Sequence, residues 1–249
     1  MPNFIRQPIR WLASLIFVIQ MYLAMAITAV IYLPRAIVSP QGAADAAHAY
    51  CRWVFFSLRV LCGLRVETRG TPPSGQVLVA GKHHSFLDIM MIYAALPRGK
   101  FIMKTELRFA PFLGWYALRM GCVPVARGKR GAAIAAMLDA VASGREMPGQ
   151  MVIYPQGTRV HPDAKAPYKR GTAALYAELG QPCVPVATNA GVFWPKRGII
   201  RYAGTAVVEF LPEIPSGLPS EDFMARVEAA IEPASDLLVR QARAAMKTA

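Results

Sequence analysis

Acidic side chains are in short supply: 15 Asp and Glu stand against 28 Lys and Arg, a formal net charge of +13. A surplus of that sign suits an anionic lipid surface, a nucleic acid or an acidic protein partner, and charge alone does not choose among them. No recognisable nucleic-acid-binding fold accompanies it, which weighs against the second. Cysteine is sparse as well. Cys51, Cys62, Cys122 and Cys183 form no CxxC pair and show no Cys/His ligand spacing, so neither a zinc site nor a disulfide framework is indicated. Scattered thiols of this kind read as small core residues in a reducing compartment. No G-x-S-x-G elbow is present, which argues against a serine lipase or thioesterase. Internal repeats and low-complexity tracts are missing, which excludes solenoids and fibrous chains.

What the chain has in excess is apolar. Hydrophobic residues make up 54% and charged ones 17%, an apolar balance for a soluble enzyme. The surplus is concentrated at the front: residues 11–34 carry no charge, and their clearly polar members are Ser14, Gln20 and Thr28. At about 1.5 Å per residue, that run as a helix covers a hydrocarbon core of about 30 Å. Three readings compete for it. One is the core helix of a soluble protein. Another is a cleaved signal peptide, with Arg6 and Arg10 as its basic start and Ala24-Met25-Ala26 as its cleavage site. The third is a membrane anchor, which is preferred because the run is too long and too apolar on every face for a soluble core.

After a polar break, residues 43–62 form a second helical pattern. Ala47, Tyr50, Val54, Phe55, Leu58 and Leu61 recur at helical spacing, and Arg52 and Arg59 share a face. This helix is amphipathic and suits a membrane interface. A single span with a cytoplasmic remainder would leave Arg6 and Arg10 outside, against the positive-inside bias. Two helices embedded from one leaflet avoid that conflict.

From residue 64 the pattern alternates. Strand-like runs occupy 64–68, 76–80, 100–103, 122–126, 151–154, 183–188 and 204–211, and helical segments occupy 85–96, 111–120, 132–143, 172–179 and 220–245. Strands separated by helices predict an α/β fold, a mixed, largely parallel sheet flanked by helices. The expected organisation is a helical membrane element over 1–63 and a second domain over 64–249. In such sheets ligands bind beyond the carboxyl ends of the strands. His83, Lys104, Arg127 and Gly157-Thr158-Arg159 all follow strand ends, so they can converge there.

Two of these strand exits carry chemistry. At the first, His83 precedes Asp88 by five positions. In one continuous helix the two side chains would point about 140° apart. They meet if His83 lies in the turn while Asp88 is already in the first helical turn, with Ser85 as N-cap. Asp88 then has two readings, a carboxylate orienting a basic imidazole or the second half of a capping box. At the other exit Pro155 ends a strand, Gly157 permits close backbone approach, and Thr158 and Arg159 supply hydroxyl and guanidinium donors. A guanidinium fork matches a phosphate with two parallel hydrogen bonds. A base, its orienting acid and an anion cradle together point to chemistry on a phosphorylated hydroxyl compound.

Over residues 81–187 the chain resembles the glycerolipid acyltransferases, in particular the bacterial 1-acyl-glycerol-3-phosphate acyltransferases, with four motifs in the family's order. The first is Lys82-His83-His84-Ser85-Phe86-Leu87-Asp88. The second is Lys104-Thr105-Glu106 with Pro111, Gly114, Gly121 and Arg127. The third is Tyr154-Pro155-Gln156-Gly157-Thr158-Arg159, and the fourth is Val184-Pro185-Val186. The resemblance implies that His83 is a general base held by Asp88 and that Lys104, Arg127, Gly157, Thr158 and Arg159 bind the substrate phosphate. His84 falls on a variable position and reads as structural or gating. Phe109, Phe112, Leu113, Trp115, Tyr116 and Leu118 are expected as core or as acyl-chain lining. The chain departs from the usual pattern at Gln156, where the family commonly has Glu; an amide can still position the acceptor but cannot ionise.

The implied activity is transfer of a fatty acyl group from acyl-CoA or acyl carrier protein to the sn-2 hydroxyl of lysophosphatidic acid. With no Ser or Cys nucleophile in the pair, direct transfer without an acyl-enzyme is expected. No metal and no bound organic cofactor are implied; the acyl thioester is a co-substrate. Family members carry a similar two-helix element, which implies a bacterial inner membrane with the catalytic domain on the cytoplasmic side. Two alternatives stay open: acylation of another lyso-lipid such as lyso-ornithine lipid, and a non-catalytic lipid-binding relative.

Overall fold

The computed structural model describes residues 3–125 and 149–248, together with positions 135 and 139. It opens with two helices, α1 (Asn3–Val38) and α2 (Pro40–Cys62). Ser39 breaks them apart: its backbone is extended, its hydroxyl accepts from Gln41 N at 3.2 Å, and Pro40 takes the first position of α2. The helices run antiparallel, since Gln20 bonds Ser57 and Trp53 while Arg35 pairs with Asp45. They close tightest at Gly42, where a Cβ would lie 2.4 Å from the carbonyl carbon and oxygen of Arg35. Gly63, at φ 65°, ends α2 in a left-handed cap.

Only one side of α1 is covered. Ser14, Phe17, Met21, Ala29 and Ala36 are buried, while Ile9, Ile16, Ile19, Leu23, Ile27, Val30 and Ile37 stand exposed. Of its most apolar stretch 22% is buried inside the protein, which is not the state of a soluble core helix. By length and composition α1 can cross a membrane.

Among the described residues seven strands follow: β1 (Leu64–Arg69), β2 (Leu78–Gly81), β3 (Gly99–Lys104), β4 (Val123–Val125), β5 (Gln150–Ile153), β6 (Cys183–Thr188) and β7 (Gly204–Phe210). They form one sheet in the order β1-β7-β6-β2-β5-β3-β4, parallel at every pairing except β6 with β7. Helices α3 (Phe86–Ala95), α4 (Leu113–Arg119), α5 (Gly171–Leu179), α6 (Ala190–Phe193) and α7 (Ser220–Thr248) connect or flank them. The expected mixed, largely parallel sheet between helices is what the chain forms. The boundaries move by a few residues, α6 is an addition, and the helix expected over 132–143 lies outside the described residues apart from positions 135 and 139.

Strand alternation decides which core each residue enters. Val79 and Val152 point to the side packed by Leu87, Met91 and Ile92 of α3 and by Phe17, Val54 and Leu58 of the helix pair. Leu78, Ala80, Met151 and Ile153 point to the other side, against Leu175 and Tyr176 of α5 and Phe223, Val227 and Ile231 of α7. A sheet covered on both faces has apolar central strands without polar alternation, as β2 and β6 are. Its functional surface is therefore left at an edge, where the strands end.

Candidate active site

Parallel pairing brings the strand exits to one edge. Gly81 pairs with Val186, Ala80 with Ile153, and Lys104 with Val125, so the segments after β2, β5, β3 and β4 leave the sheet side by side. Lys82 N continues the ladder to Val186 O at 2.8 Å, and β2 then gives way to the turn that carries His83 and His84. Ser85 starts α3. Its hydroxyl accepts from Leu87 N at 3.1 Å and donates to Trp194 O at 2.7 Å, so the group is engaged in structure.

Asp88, the third residue of α3, performs both tasks foreseen for it. One carboxylate oxygen accepts from the backbone N–H groups of His84 and Ser85, at 2.8 and 2.6 Å. The other lies 2.8 Å from His83 Nδ1. Asp88 is fully buried and His83 is 9% exposed. An ionised carboxylate only accepts, so Nδ1 carries the hydrogen and Nε2 keeps its lone pair. That is the tautomer a general base requires.

Tyr154 fixes the ring from its flat side, stacked at a centroid distance of 4.0 Å and 19°. Burial, reinforced by the negative charge of Asp88, pushes the Tyr154 phenol well above its ordinary range and keeps it protonated. His84 differs from its neighbour. It is 2% exposed, and neither ring nitrogen has a hydrogen-bond partner among the described residues. Burial lowers its pKa to about 4, so near neutral pH its ring is uncharged.

Gly157 has φ 65°, the left-handed conformation that favours glycine. A Cβ there would lie 2.8 Å from Lys169 Nζ, because the lysine side chain crosses directly over the turn. Thr158 is exposed and Arg159 half-buried. Val160 N donates to His83 O at 2.8 Å, which ties the Gly-Thr-Arg segment to the backbone of the base. Lys196 donates to Arg159 O at 2.8 Å. Lys104 is exposed at the end of β3, on the same edge but two strands from β2. Arg127 lies outside the described residues.

Gln156 is buried, and its amide nitrogen donates to Ala166 O at 3.3 Å, bracing the loop that returns to α5. Exchange for glutamate swaps this N–H donor for an acceptor and adds a charge beside the anion turn. Gln156→Glu is expected to change turnover by less than about tenfold, since one hydrogen bond and one charge are at stake. Steady-state kinetics of the two proteins check this; a large gain with glutamate would mean that a carboxylate is required there.

Several supporting contacts were invisible to motif reading. Lys82, 3% exposed, places Nζ 2.6 Å from both carboxylate oxygens of Glu232 on α7. Tyr168 donates to the same carboxylate at 2.8 Å. This buried pair pins the residue before His83 to the far end of the chain, across 150 positions. No local pattern announces it. Lys169 could have been suspected only from its basic neighbours.

A profile described as Acyltransferase matches residues 64–189. Among curated proteins, the 1-acyl-sn-glycerol-3-phosphate acyltransferase of Pseudomonas aeruginosa is 28% identical over 165 residues, 66% of this chain and 64% of that protein. The human 1-acyl-sn-glycerol-3-phosphate acyltransferase alpha is 31% identical over 177 residues, 69% of this chain and 62% of its own length. The chain thus spans somewhat less than two thirds of these relatives. Among solved structures, the crystal structure of the 1-acyl-sn-glycerophosphate (LPA) acyltransferase, PlsC, from Thermotoga maritima superposes with a TM-score of 0.73, covering 93% of this chain and 97% of that one. At 19% identity this likeness speaks for the fold.

Proposed function

The chain belongs to the Acyltransferase family, and from that premise we propose that it transfers a fatty acyl group from an acyl thioester, acyl-CoA or acyl carrier protein, to the sn-2 hydroxyl of lysophosphatidic acid. The observation that carries this reading is the His83–Asp88 contact at 2.8 Å, set at the same strand edge as the Gly157 turn. His83 Nε2 takes the hydroxyl proton as that oxygen attacks the thioester carbonyl. Asp88 stabilises the imidazolium that forms. When the tetrahedral intermediate collapses, the C–S bond breaks and the imidazolium returns its proton to the departing thiolate. The products are phosphatidic acid and the free thiol, and His83 ends as it began. Ser85 takes no part, its hydroxyl being committed to Leu87 and Trp194.

Arg159, Thr158 and the Gly157 backbone supply the phosphate site, with Lys104 and Arg127 adding charge from the neighbouring strand exits. Arg159→Ala is expected to cut catalytic efficiency with a phosphorylated acceptor by roughly 10- to 150-fold, the value of one charge-assisted hydrogen bond. An acceptor without phosphate should be little affected. Equal losses on both acceptors would make Arg159 a structural residue. The exposed face of α1 supports work at a membrane, and a bacterial inner membrane with the site towards the cytoplasm is part of the proposal. Purified protein given lysophosphatidic acid and labelled acyl-CoA or acyl carrier protein, with the product lipids identified, tests the whole reading. Turnover of a lyso-lipid lacking phosphate, but not of lysophosphatidic acid, would replace the acceptor. No turnover of any acceptor would leave a lipid-binding relative.

A further inference from the structure

Phe109, Phe112, Leu113, Trp115, Tyr116 and Leu118 were expected as core or as acyl-chain lining, and of these Tyr116 alone is buried core. Leu107, Phe109, Phe112, Leu113, Trp115 and Leu118 stand 36–72% exposed between β3 and β4, directly after Lys104. Tyr116, the exception, is 8% exposed. Phe112, at φ 59°, is the one non-glycine residue with positive φ among the described residues. Such a conformation costs a bulky residue about 1–3 kcal/mol, and here it ends with the ring 43% exposed. Water does not reward that arrangement.

The segment is fastened to the membrane-compatible helix, and this identifies what covers it. Tyr116 donates to Ala29 O at 2.5 Å, and Arg119 donates to Ala36 O and Ile37 O at 3.0 and 2.8 Å. All three acceptors lie in the second half of α1, whose Val30, Ile31, Ile37 and Val38 are exposed beside them. The two apolar surfaces are thus parts of one face. Basic groups collar it: the Arg108 guanidinium lies 4.4 Å from the Phe109 ring, and Arg119 and Arg35 flank the end of α1. Aromatic rings with arginines at their margin are the chemistry of a bilayer interface carrying anionic headgroups.

We propose that residues 107–118 are a second membrane-insertion element, which enters the headgroup–acyl boundary of an anionic bilayer beside α1 and sets the depth at which Lys104 meets a lipid phosphate. The consequence for catalysis rests on the acyltransferase reading above; the insertion itself does not.

The test uses the full-length chain carrying Trp11→Phe and Trp53→Phe, so that Trp115 and the buried Trp194 are the remaining indoles. In vesicles of phosphatidylglycerol and phosphatidylcholine, lipids brominated high on their acyl chains should quench its emission, while aqueous iodide should not. Adding Trp115→Phe should remove the quenching by brominated lipid. Quenching of Trp115 by iodide instead would place it in water, and protection from both quenchers would place protein on this face; either result overturns the proposal. A second measurement uses Phe109→Asp with Leu113→Asp. Turnover of a long-chain acceptor held in vesicles should fall by roughly 100-fold or more, as expected when two apolar side chains lose their burial, while a water-soluble short-chain acceptor is turned over at the wild-type rate. Equal turnover in vesicles by variant and parent would sink the role in depth. If the parent turns over neither acceptor, the activity reading fails and the quenching still decides insertion.

Discussion

His83→Ala is expected to lower the proposed acyl-transfer turnover by about two to four orders of magnitude, the contribution of a positioned general base. The residue is buried to 9% exposure, oriented by Asp88 at 2.8 Å and stacked on Tyr154. His84 cannot take over. Its ring is enclosed, and burial has already lowered its pKa to about 4. His84→Ala should therefore have a much milder effect per folded molecule, which makes it the control. Initial rates under saturating acyl donor, with circular dichroism to verify the fold, read both variants. Turnover of His83→Ala at the wild-type rate would remove the proposed mechanism altogether.

Asp88→Asn separates the two tasks of that carboxylate, and its expected loss is of similar size. Asparagine has one carbonyl oxygen and one amide group. If the oxygen keeps the hydrogen bonds from His84 N and Ser85 N, the amide N–H₂ faces His83 Nδ1. The imidazole must then accept at Nδ1 and carry its hydrogen on Nε2, where the base is needed. Turnover should fall by about 10²–10⁴-fold. Stability should fall by only about 1–3 kcal/mol, because one charge-assisted hydrogen bond and part of a cap are weakened. Thermal unfolding alongside kinetics separates the effects. A variant that unfolds earlier yet turns over at the wild-type rate would reduce Asp88 to a helix cap.

Much of the site could be read before any coordinates. The five-residue spacing of His83 and Asp88, with Ser85 between them, implies a turn followed by a helix start, and the capping bonds of α3 have that geometry. Gly157 was legible as a glycine at a strand exit beside Thr and Arg that lets the backbone approach closely; its left-handed conformation, at φ 65°, came from the structure. The long uncharged run and the alternation of strands and helices were equally plain, because periodicity and composition are local properties of a chain.

Other features were decided by packing between distant segments. Lys82 opens the first motif, yet only the approach of α7 from 150 residues away supplies Glu232 and makes a buried lysine tolerable. Lys169 reaches Gly157 because the 155–169 loop doubles back, with Lys169 N bonded to Pro155 O at 2.8 Å. The aromatic residues after Lys104 illustrate the limit best. Their apolar character gave no direction, and exposure was settled when Tyr116 and Arg119 took hold of α1. By itself the sequence determined most of the described helices and strands and which side chains could act as base, acid or anion donor, since those depend on spacing and side-chain chemistry. Only the tertiary structure decided which face each apolar residue meets and which remote charges enclose the base, because burial and ion pairing belong to the contacts between segments.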